Sequence, residues 1–374
     1  MVCDDLVQHG GHEHIIMEFA RLYPGAPLYT TAATQNWQQI CREKGIDLRT
    51  SWMKKLPFLK QLNRVYAVFL FHILALESFN FDDFDVVVSL SSRFSHGVIT
   101  KPGILHICYM STVGRMFWEP HGYFSRESLG GWGILKKIQN LPLQLSLAHI
   151  RLWDQLAAQR PDVFATISET TRQRIKKYYQ RDARIIYPPV DVRKYSAQTK
   201  KLPNDYFLVV TRLNAWKRVD LAIEACLKCG FKLKIIGEGP DRPALEKIAG
   251  GSKLIEFLGY VTEEEKIKYL QNCLALVMTQ YEDFGLVPIE AMAGGKPTIA
   301  YKKGGVLETV QVGVTGEFYD EQTIVSLQAA LKNFKPQKYD PISCLNRAKL
   351  FDVEVFNKAM SSFIEDKHLK HSGQ

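Results

Sequence analysis

The strongest constraint on this chain is a regular alternation in its second half. Short runs of β-branched and aromatic residues stand at 206–211 (YFLVVT), 232–236 (KLKII), 254–258 (LIEFL), 274–278 (LALVM) and 298–301 (TIAY). Amphipathic stretches at 219–227, 240–248, 263–270 and 287–293 separate them. Strands that alternate with helices in this way predict parallel βαβ units in an open, doubly wound sheet. Ligands of such sheets sit beyond the carboxyl ends of the strands.

The first half repeats the pattern more loosely, with strand-like runs at 86–90, 104–109, 163–167 and 184–187. Tyr187-Pro188-Pro189 interrupts it, because neither proline can donate to a sheet ladder and each restricts the residue before it. A chain of 374 residues, at about 150 per domain, calls for two domains. The expected fold is therefore α/β. Two Rossmann-like doubly wound domains, 1–188 and 189–350, face each other across a central cleft, and a C-terminal helix at 351–374 returns to the first. With 46% apolar residues the chain can bury a large core, which excludes disordered, collagen-like and disulfide-scaffold classes. No run of 18 uncharged apolar residues is present, so no membrane-spanning helix is expected. The first residues, MVCDD, lack the basic and apolar regions of a signal peptide. Seven scattered cysteines, an odd number, predict a reduced, cytoplasmic chain.

Lysine and arginine exceed aspartate and glutamate by 48 to 39, a formal +9 that points to an anionic partner. No nucleic-acid-binding module or dense basic stripe accompanies it, so nucleic acid is not expected. Residues 51–79 offer another outlet. Lys54, Lys55, Lys60 and Arg64 precede the run VYAVFLFHILAL, and Phe58, Leu62, Val65 and Phe69 recur at helical spacing. A basic amphipathic helix of this kind lies in an anionic membrane interface. Packing against the N-terminal sheet is the other reading, since the run after Val65 is apolar all round.

Three loops carry the chemistry. Glu282-Asp283-Phe284-Gly285-Leu286-Val287-Pro288-Ile289-Glu290 follows the strand at 274–278 and opens a helix that Gly294-Gly295 stops. Backbone N–H groups around Phe284, Gly285 and Leu286 then face an anion or a polar sugar at a positive helix end. Gly285 allows close approach, while Glu282 and Glu290 address different parts of an extended ligand. Arg212 and Lys217, five apart after the strand at 206–211, suit a diphosphate without a metal. Gly237-Glu238-Gly239-Pro240 lacks the third glycine of the dinucleotide fingerprint, so NAD binding is not read from it.

In order, Arg212-x4-Lys217, Gly237-Glu238-Gly239-Pro240, Phe257-Leu258-Gly259-Tyr260, Glu282-x7-Glu290 and Gly294-Gly295-Lys296-Pro297 resemble glycosyltransferase family 4, over roughly residues 183–320. The resemblance implies a retaining, nucleotide-sugar-dependent transferase of the GT-B fold, with the donor in the second domain and the acceptor in the first. It implies that Arg212, Lys217 and Glu282 are catalytic, and that Gly237, Tyr260, Phe284, Gly285, Leu286 and Glu290 bind the donor. Among these, Glu290 holds the ribose and Glu282 the transferred sugar's hydroxyls. No cofactor or metal is expected beyond the co-substrate.

The first half resembles the same family more loosely. Gly10-Gly11 matches its glycine-rich first loop near the donor phosphates, although the strand before it is nearly missing. His96, Ser111, Arg115, Trp118 and Glu119 fall in stretches similar to bacterial surface-polysaccharide mannosyltransferases and are expected at the acceptor or sugar. The resemblance thus implies GDP-mannose as donor. The acceptor it implies is a saccharide on polyprenyl diphosphate, at the inner face of the cell membrane. One departure stands out: Ser111 occupies a position where the family usually has a histidine that touches a donor hydroxyl. Ser111 itself, His106 or His96 are the candidate substitutes. His12 and His14 flank Glu13 at a spacing that gives no common helical face, and Cys226-x2-Cys229 has no second pair at zinc spacing. A UDP- or dTDP-sugar donor, a GT-B epimerase or phosphorylase, and a non-catalytic sugar-nucleotide-binding subunit are the rival readings.

Overall fold

The computed structural model describes residues 1–8, 10–119, 141–196 and 204–373. They form two compact units. One comprises residues up to Pro188 together with the C-terminal stretch from Phe356; the other runs from Pro189 to Val355.

The second unit holds a parallel sheet of six strands: β8 Tyr206–Val210, β9 Lys232–Ile236, β10 Ile255–Gly259, β11 Leu276–Met278, β12 Thr298–Tyr301 and β13 Gly316–Tyr319. Their order is β10-β9-β8-β11-β12-β13, so the winding reverses between β8 and β11. The helices between them, including Val219–Cys229, Arg242–Ala249, Glu263–Asn272 and Leu286–Ala293, lie within two residues of the sequence expectation at either end. The strands are apolar because both faces of the sheet are covered. Phe207, Val209, Leu233, Ile235, Val277 and Ile299 pack with Leu221, Ala222, Ala225 and Cys226 of the first helix in one buried cluster.

The first unit has seven parallel strands in the order β3-β2-β1-β4-β5-β6-β7, with its reversal between β1 and β4. Here β1 is Val2–Cys3, β2 Leu28–Thr30, β3 Leu48–Thr50, β4 Val86–Ser91, β5 Leu105–Met110, β6 Val163–Thr166 and β7 Arg184–Ile185. The first strand is present, two residues long, and pairs with both β2 and β4. β1, β2 and β3 escape a reading by periodicity because two or three residues cannot display a period. The helix Val353–Ser372 contributes Phe356, Met360 and Phe363 to this unit's core. Phe356 packs edge-on against Phe19 and Tyr109.

Residues 51–79 do not form one amphipathic helix. A short turn Trp52–Lys55 and helices Leu59–Val68 and Phe71–Glu77 follow one another, broken where Phe58 and Leu70 take left-handed backbone angles, φ 48° and 66°. The apolar run after Val65 turns inward: His72, Ile73 and Leu76 are buried. Trp52, Phe58, Phe69 and Leu74 stay outside, Phe58 being 71% exposed, and Lys54 and Lys55 are exposed beside them. The helix Leu141–Ala157, tied to the first of these helices by Ser146 donating to the Val68 carbonyl, exposes Leu145, Leu152 and Leu156. Among the described residues no helix is long and apolar enough to cross a membrane.

Candidate functional site

The loops that follow β8 and β11 meet at the reversal point of the second sheet. β8 is followed by Thr211 and an exposed Arg212, and the chain then makes a short turn, Ala215–Lys217. Lys217 is only 8% exposed. Its carbonyl accepts from Thr279 Oγ1 (2.8 Å), its ammonium lies 4.0 Å from the centre of the Trp216 ring, and it forms an ion pair with Glu282. The structure therefore sets the two expected cations apart in kind. Arg212 faces solvent, whereas Lys217 is held in the loop by a carboxylate.

Glu282 is fixed by its own backbone. It forms a parallel bridge with Gly304, and its carbonyl accepts from Gly305 N–H at 3.0 Å. A Cβ on Gly304 would sit 2.2 Å from the Glu282 carbonyl oxygen, and one on Gly305 2.3 Å from Phe284 Cα. These two glycines belong to the site and were missed by motif. Their signal in the sequence is a Gly-Gly pair just after the strand at 298–301. Phe284 itself is core: it is 3% exposed and packs edge-on against Phe351 at 5.8 Å. What it offers a ligand is backbone. Gly285 follows at φ 89° and opens Leu286–Ala293 with no side-chain cap, so the first N–H groups of that helix are unpaired within it.

Glu290, one turn into that helix, is not bare. Lys266 Nζ lies 3.1 Å from its Oε2 and 3.0 Å from Glu263 Oε1, and Tyr195 donates to Glu263. Burial would strip Lys266 of its proton, but Glu290 and Glu263 overcome that and raise its pKa. The Tyr195 hydroxyl is pushed up, first by burial and then by Glu290. Lys266 and Tyr195 carry no motif and were not foreseen.

Two donor-binding expectations change in meaning. Gly237, at φ 135°, is required by packing: a Cβ there would fall 1.9 Å from the Thr211 carbonyl oxygen. Leu213 N–H donates to the Glu238 carbonyl and Gly237 N–H to that of Gly259, so the loops after β8, β9 and β10 are laced backbone to backbone. Tyr260 stands 87% exposed at the end of β10.

The first unit has its own cluster at its reversal point. Asp4, just after β1, is 1% exposed and accepts from the N–H groups of Ser92, Arg93, Phe94 and Ser95 and from Ser92 Oγ, at 2.7–2.8 Å. Burial alone would raise its pKa; Arg93, His12 and these donors outweigh it and hold the carboxyl at about 2. Gly10 precedes and Gly11 begins the helix Gly11–Leu22, both exposed. His12, next in that helix, meets Ser111 at the end of β5: Nδ1 lies 2.9 Å from Ser111 Oγ.

The histidines expected to stand in at Ser111 do not. His106 is fully buried with Nε2 at 2.8 Å from Ser89 Oγ, and burial lowers its pKa to about 3. His96 is also 0% exposed, between Ser91 Oγ (3.1 Å) and Asp154 Oδ1 (3.3 Å). A side chain without solvent contact does not reach an acceptor, which corrects the expectation for His96. Asp154 also accepts from Trp118 Nε1 (2.7 Å) and the Tyr179 hydroxyl (2.8 Å), and Trp118 stacks on Tyr178. Glu119 pairs with Arg174 (3.0 Å) and lies 3.5 Å from Arg115. Of the five side chains expected at the acceptor, Ser111 is joined to the cluster around Asp4 and His12. No three His, Cys, Asp or Glu side chains among the described residues come together in a way that could hold a metal ion.

Comparison with known proteins follows the same division. Residues 191–348 match the family described as Glycosyl transferases group 1. The alpha-1,3/1,6-mannosyltransferase ALG2 of Saccharomyces cerevisiae is 28% identical over 234 residues, 50% of this chain and 46% of that protein. The D-rhamnosyltransferase WbpZ of Pseudomonas aeruginosa is 28% identical over 177 residues, 44% of each chain. The chain thus spans about half the length of these relatives. Among solved structures, Anabaena Alr3699/HepE in complex with UDP superposes with a TM-score of 0.69 at 16% identity, covering 98% of this chain and 99% of that one. Two parallel sheets with one winding order, and a match that begins just after the Pro188-Pro189 break, thus give residues 191–348 a likeness to Glycosyl transferases group 1 and the chain the two-sheet, Rossmann-like fold of the GT-B glycosyltransferases.

Proposed function

We propose that the protein is a retaining glycosyltransferase that moves mannose from GDP-mannose to a saccharide acceptor carried on polyprenyl diphosphate. The observation that carries this reading is the Lys217–Glu282 pair beside the uncapped start of Leu286–Ala293, at the reversal point where doubly wound sheets bind ligands. A departing nucleoside diphosphate gains negative charge. Lys217, Arg212 and the N–H groups after Gly285 supply fixed positive charge and donors for it. Glu282 then turns to hydroxyls of the sugar being moved, and Glu290, oriented by Lys266, to those of the ribose. The leaving phosphate takes the acceptor's proton on the face from which it departs, so the anomeric configuration is retained. The acceptor is assigned to the first unit, which carries Ser111. Mannose is favoured by the likeness to ALG2, a mannosyltransferase by name.

A lipid-linked acceptor places the enzyme at the cytoplasmic membrane surface. The exposed Phe58, Phe69 and Leu74 beside Lys54 and Lys55 support that placement, since apolar side chains flanked by lysines suit an anionic interface.

The test is a melting-temperature screen of the purified protein against GDP, UDP, dTDP, ADP and their sugars, because a ligand of the folded state raises its Tm. A selective rise with GDP and GDP-mannose is expected, followed by release of GDP that depends on an added acceptor. A UDP-selective rise would replace mannose with the second reading, a UDP-sugar donor, which the likeness to the HepE complexes with UDP and UDP-glucose favours. No rise with any nucleotide would overturn the transferase reading in favour of a non-catalytic subunit.

A further inference from the structure

One residue, Arg218, joins the turn Ala215–Lys217 to the helix Val219–Cys229, and its backbone is left-handed, with φ 55° and ψ 37°. The residue that caps a helix start is ordinarily extended and accepts a hydrogen bond from the first turn. Thr34, Ser168, Thr262 and Thr323 do both in this chain, and Arg218 does neither. We propose that Arg218, locked by Asp220, is a positioning residue for the transfer reaction: its left-handed backbone ends the turn at Lys217 and keeps that ammonium beside Glu282 instead of carrying it into the helix. This rests on the transferase reading above, in which Lys217 serves the leaving diphosphate.

Three observations support it. The first is the break in the hydrogen-bond ladder. Arg218 N–H closes the turn on the Ala215 carbonyl (3.2 Å), and Leu221 N–H opens the helix on the Arg218 carbonyl (3.1 Å). The Lys217 carbonyl lies between the two and turns to Thr279 Oγ1. Right-handed angles at 218 would let the turn run on into the helix, at about 100° per residue, and rotate Lys217 onto the helix's own surface. The second observation is the lock. Arg218 Nε lies 3.0 and 3.1 Å from the two oxygens of Asp220, and Nη2 2.8 Å from the second. A residue with a Cβ holds left-handed angles only where its surroundings impose them, and this chelate across the first turn imposes them. The third is burial: Lys217 and Thr279 are 8% and 1% exposed, so a turn of different course has little room to keep the ion pair with Glu282. The guanidinium of Arg218 is spent on Asp220, and what the residue gives the site is its backbone.

The experiment measures transfer by the full chain, with the donor identified by the nucleotide screen, alongside urea unfolding of each protein. Arg218→Gly is the conservative variant, because glycine takes left-handed angles freely, and kcat should stay within about twofold of wild type. Arg218→Val, whose branched Cβ disfavours those angles, should lower kcat by about tenfold or more. Asp220→Ala should lower kcat by about fivefold with arginine at 218 and leave it unchanged with glycine there, since glycine needs no lock. That dependence survives as a test if Arg218→Val does not fold. A merely structural role predicts lower stability with unchanged kcat in the folded Arg218→Val and Asp220→Ala proteins, and that result overturns the proposal. So does an Arg218→Gly enzyme as slow as Arg218→Val, which would make the guanidinium itself the active group. In either case an impaired Lys217→Met enzyme leaves the transferase reading standing. A wild-type protein with neither transfer nor nucleotide-dependent stabilisation removes that reading, and this inference with it.

Discussion

The Lys217–Glu282 pair makes a prediction in which stability and activity part company. The side chains are 10% and 21% exposed, so the pair is nearer the buried than the surface regime. For unit charges about 4 Å apart the attraction is about 4 kcal/mol at an effective dielectric constant of about 20, against about 1 kcal/mol in bulk water. Removing one member of a buried pair costs about 3–5 kcal/mol, mostly the penalty on the charge left behind. Residual solvent at Glu282 lowers that to about 2–3 kcal/mol for Lys217→Met. Glu282→Gln strands the lysine and should cost a similar amount. The double variant leaves no stranded charge and should be more stable than either single one, with a coupling energy of about 2 kcal/mol. Urea unfolding of all four proteins, with ΔG extrapolated linearly to water, measures this cycle. Transfer activity should behave differently: in the proposed mechanism both charges act on the donor, so each single variant loses at least about tenfold and the double variant is no better. Additive stabilities would refute the pairing argument, and a double variant with restored activity would refute the catalytic one.

Other outcomes follow from the packing and the buried charges. Gly237→Ala should destabilise the second unit by at least about 2 kcal/mol, seen as a lower urea midpoint, because a Cβ 1.9 Å from the Thr211 carbonyl forces the loops after β8 and β9 apart. The first unit should weaken in acid. Burial lowers the pKa of His72 to about 4 from an ordinary 6.5, so the unfolded chain binds the extra proton and stability falls as pH drops from about 6.5 to 4. That window is worth about 3 kcal/mol, and His72→Gln should flatten it in urea titrations at pH 7 and pH 4.5. Asp4 acts lower down: with its carboxyl held at about 2, its contribution is complete above about pH 4 and is lost as the pH falls toward 2. Sedimentation with vesicles should show binding to anionic but not neutral lipid, and Phe58→Ser/Phe69→Ser should abolish it; equal sedimentation of the variant would remove the membrane assignment.

Fold class was legible wherever elements were long enough to show a period. Strands of four to six residues such as β4, β5, β8 and β9, and helices such as Val219–Cys229, announce themselves because burial on both faces writes continuous apolar runs. β1 does not, yet it lies between β2 and β4 and carries Asp4, which organises the whole 92–95 loop. The positions of Arg212, Glu282 and Glu290 follow from strand ends and helix starts, and so were readable. Their partners were not, since Lys217 with Glu282, Lys266 with Glu290 and His12 with Ser111 are pairings of tertiary structure without a fixed spacing. Residues 51–79 misled for a related reason. Helical periodicity continues through Phe58 and Leu70, where the backbone reverses hand, and only tertiary packing chooses which apolar side chains turn inward.

The route of the chain has a consequence for how the protein is made. The first unit is not contiguous: Phe19 and Tyr109 complete their aromatic cluster with Phe356, which lies beyond the entire second unit. A ribosome releasing the chain from its N-terminus delivers seven strands of the first sheet long before this ring, while every strand of the second sheet emerges ahead of it. The second unit is thus the part able to consolidate during synthesis. The half with Ser111 and His12 waits, with an apolar gap beside Phe19, until the last helix is released. Loss of residues after Val355 would therefore be felt first in the sheet whose strands lie farthest from them in sequence.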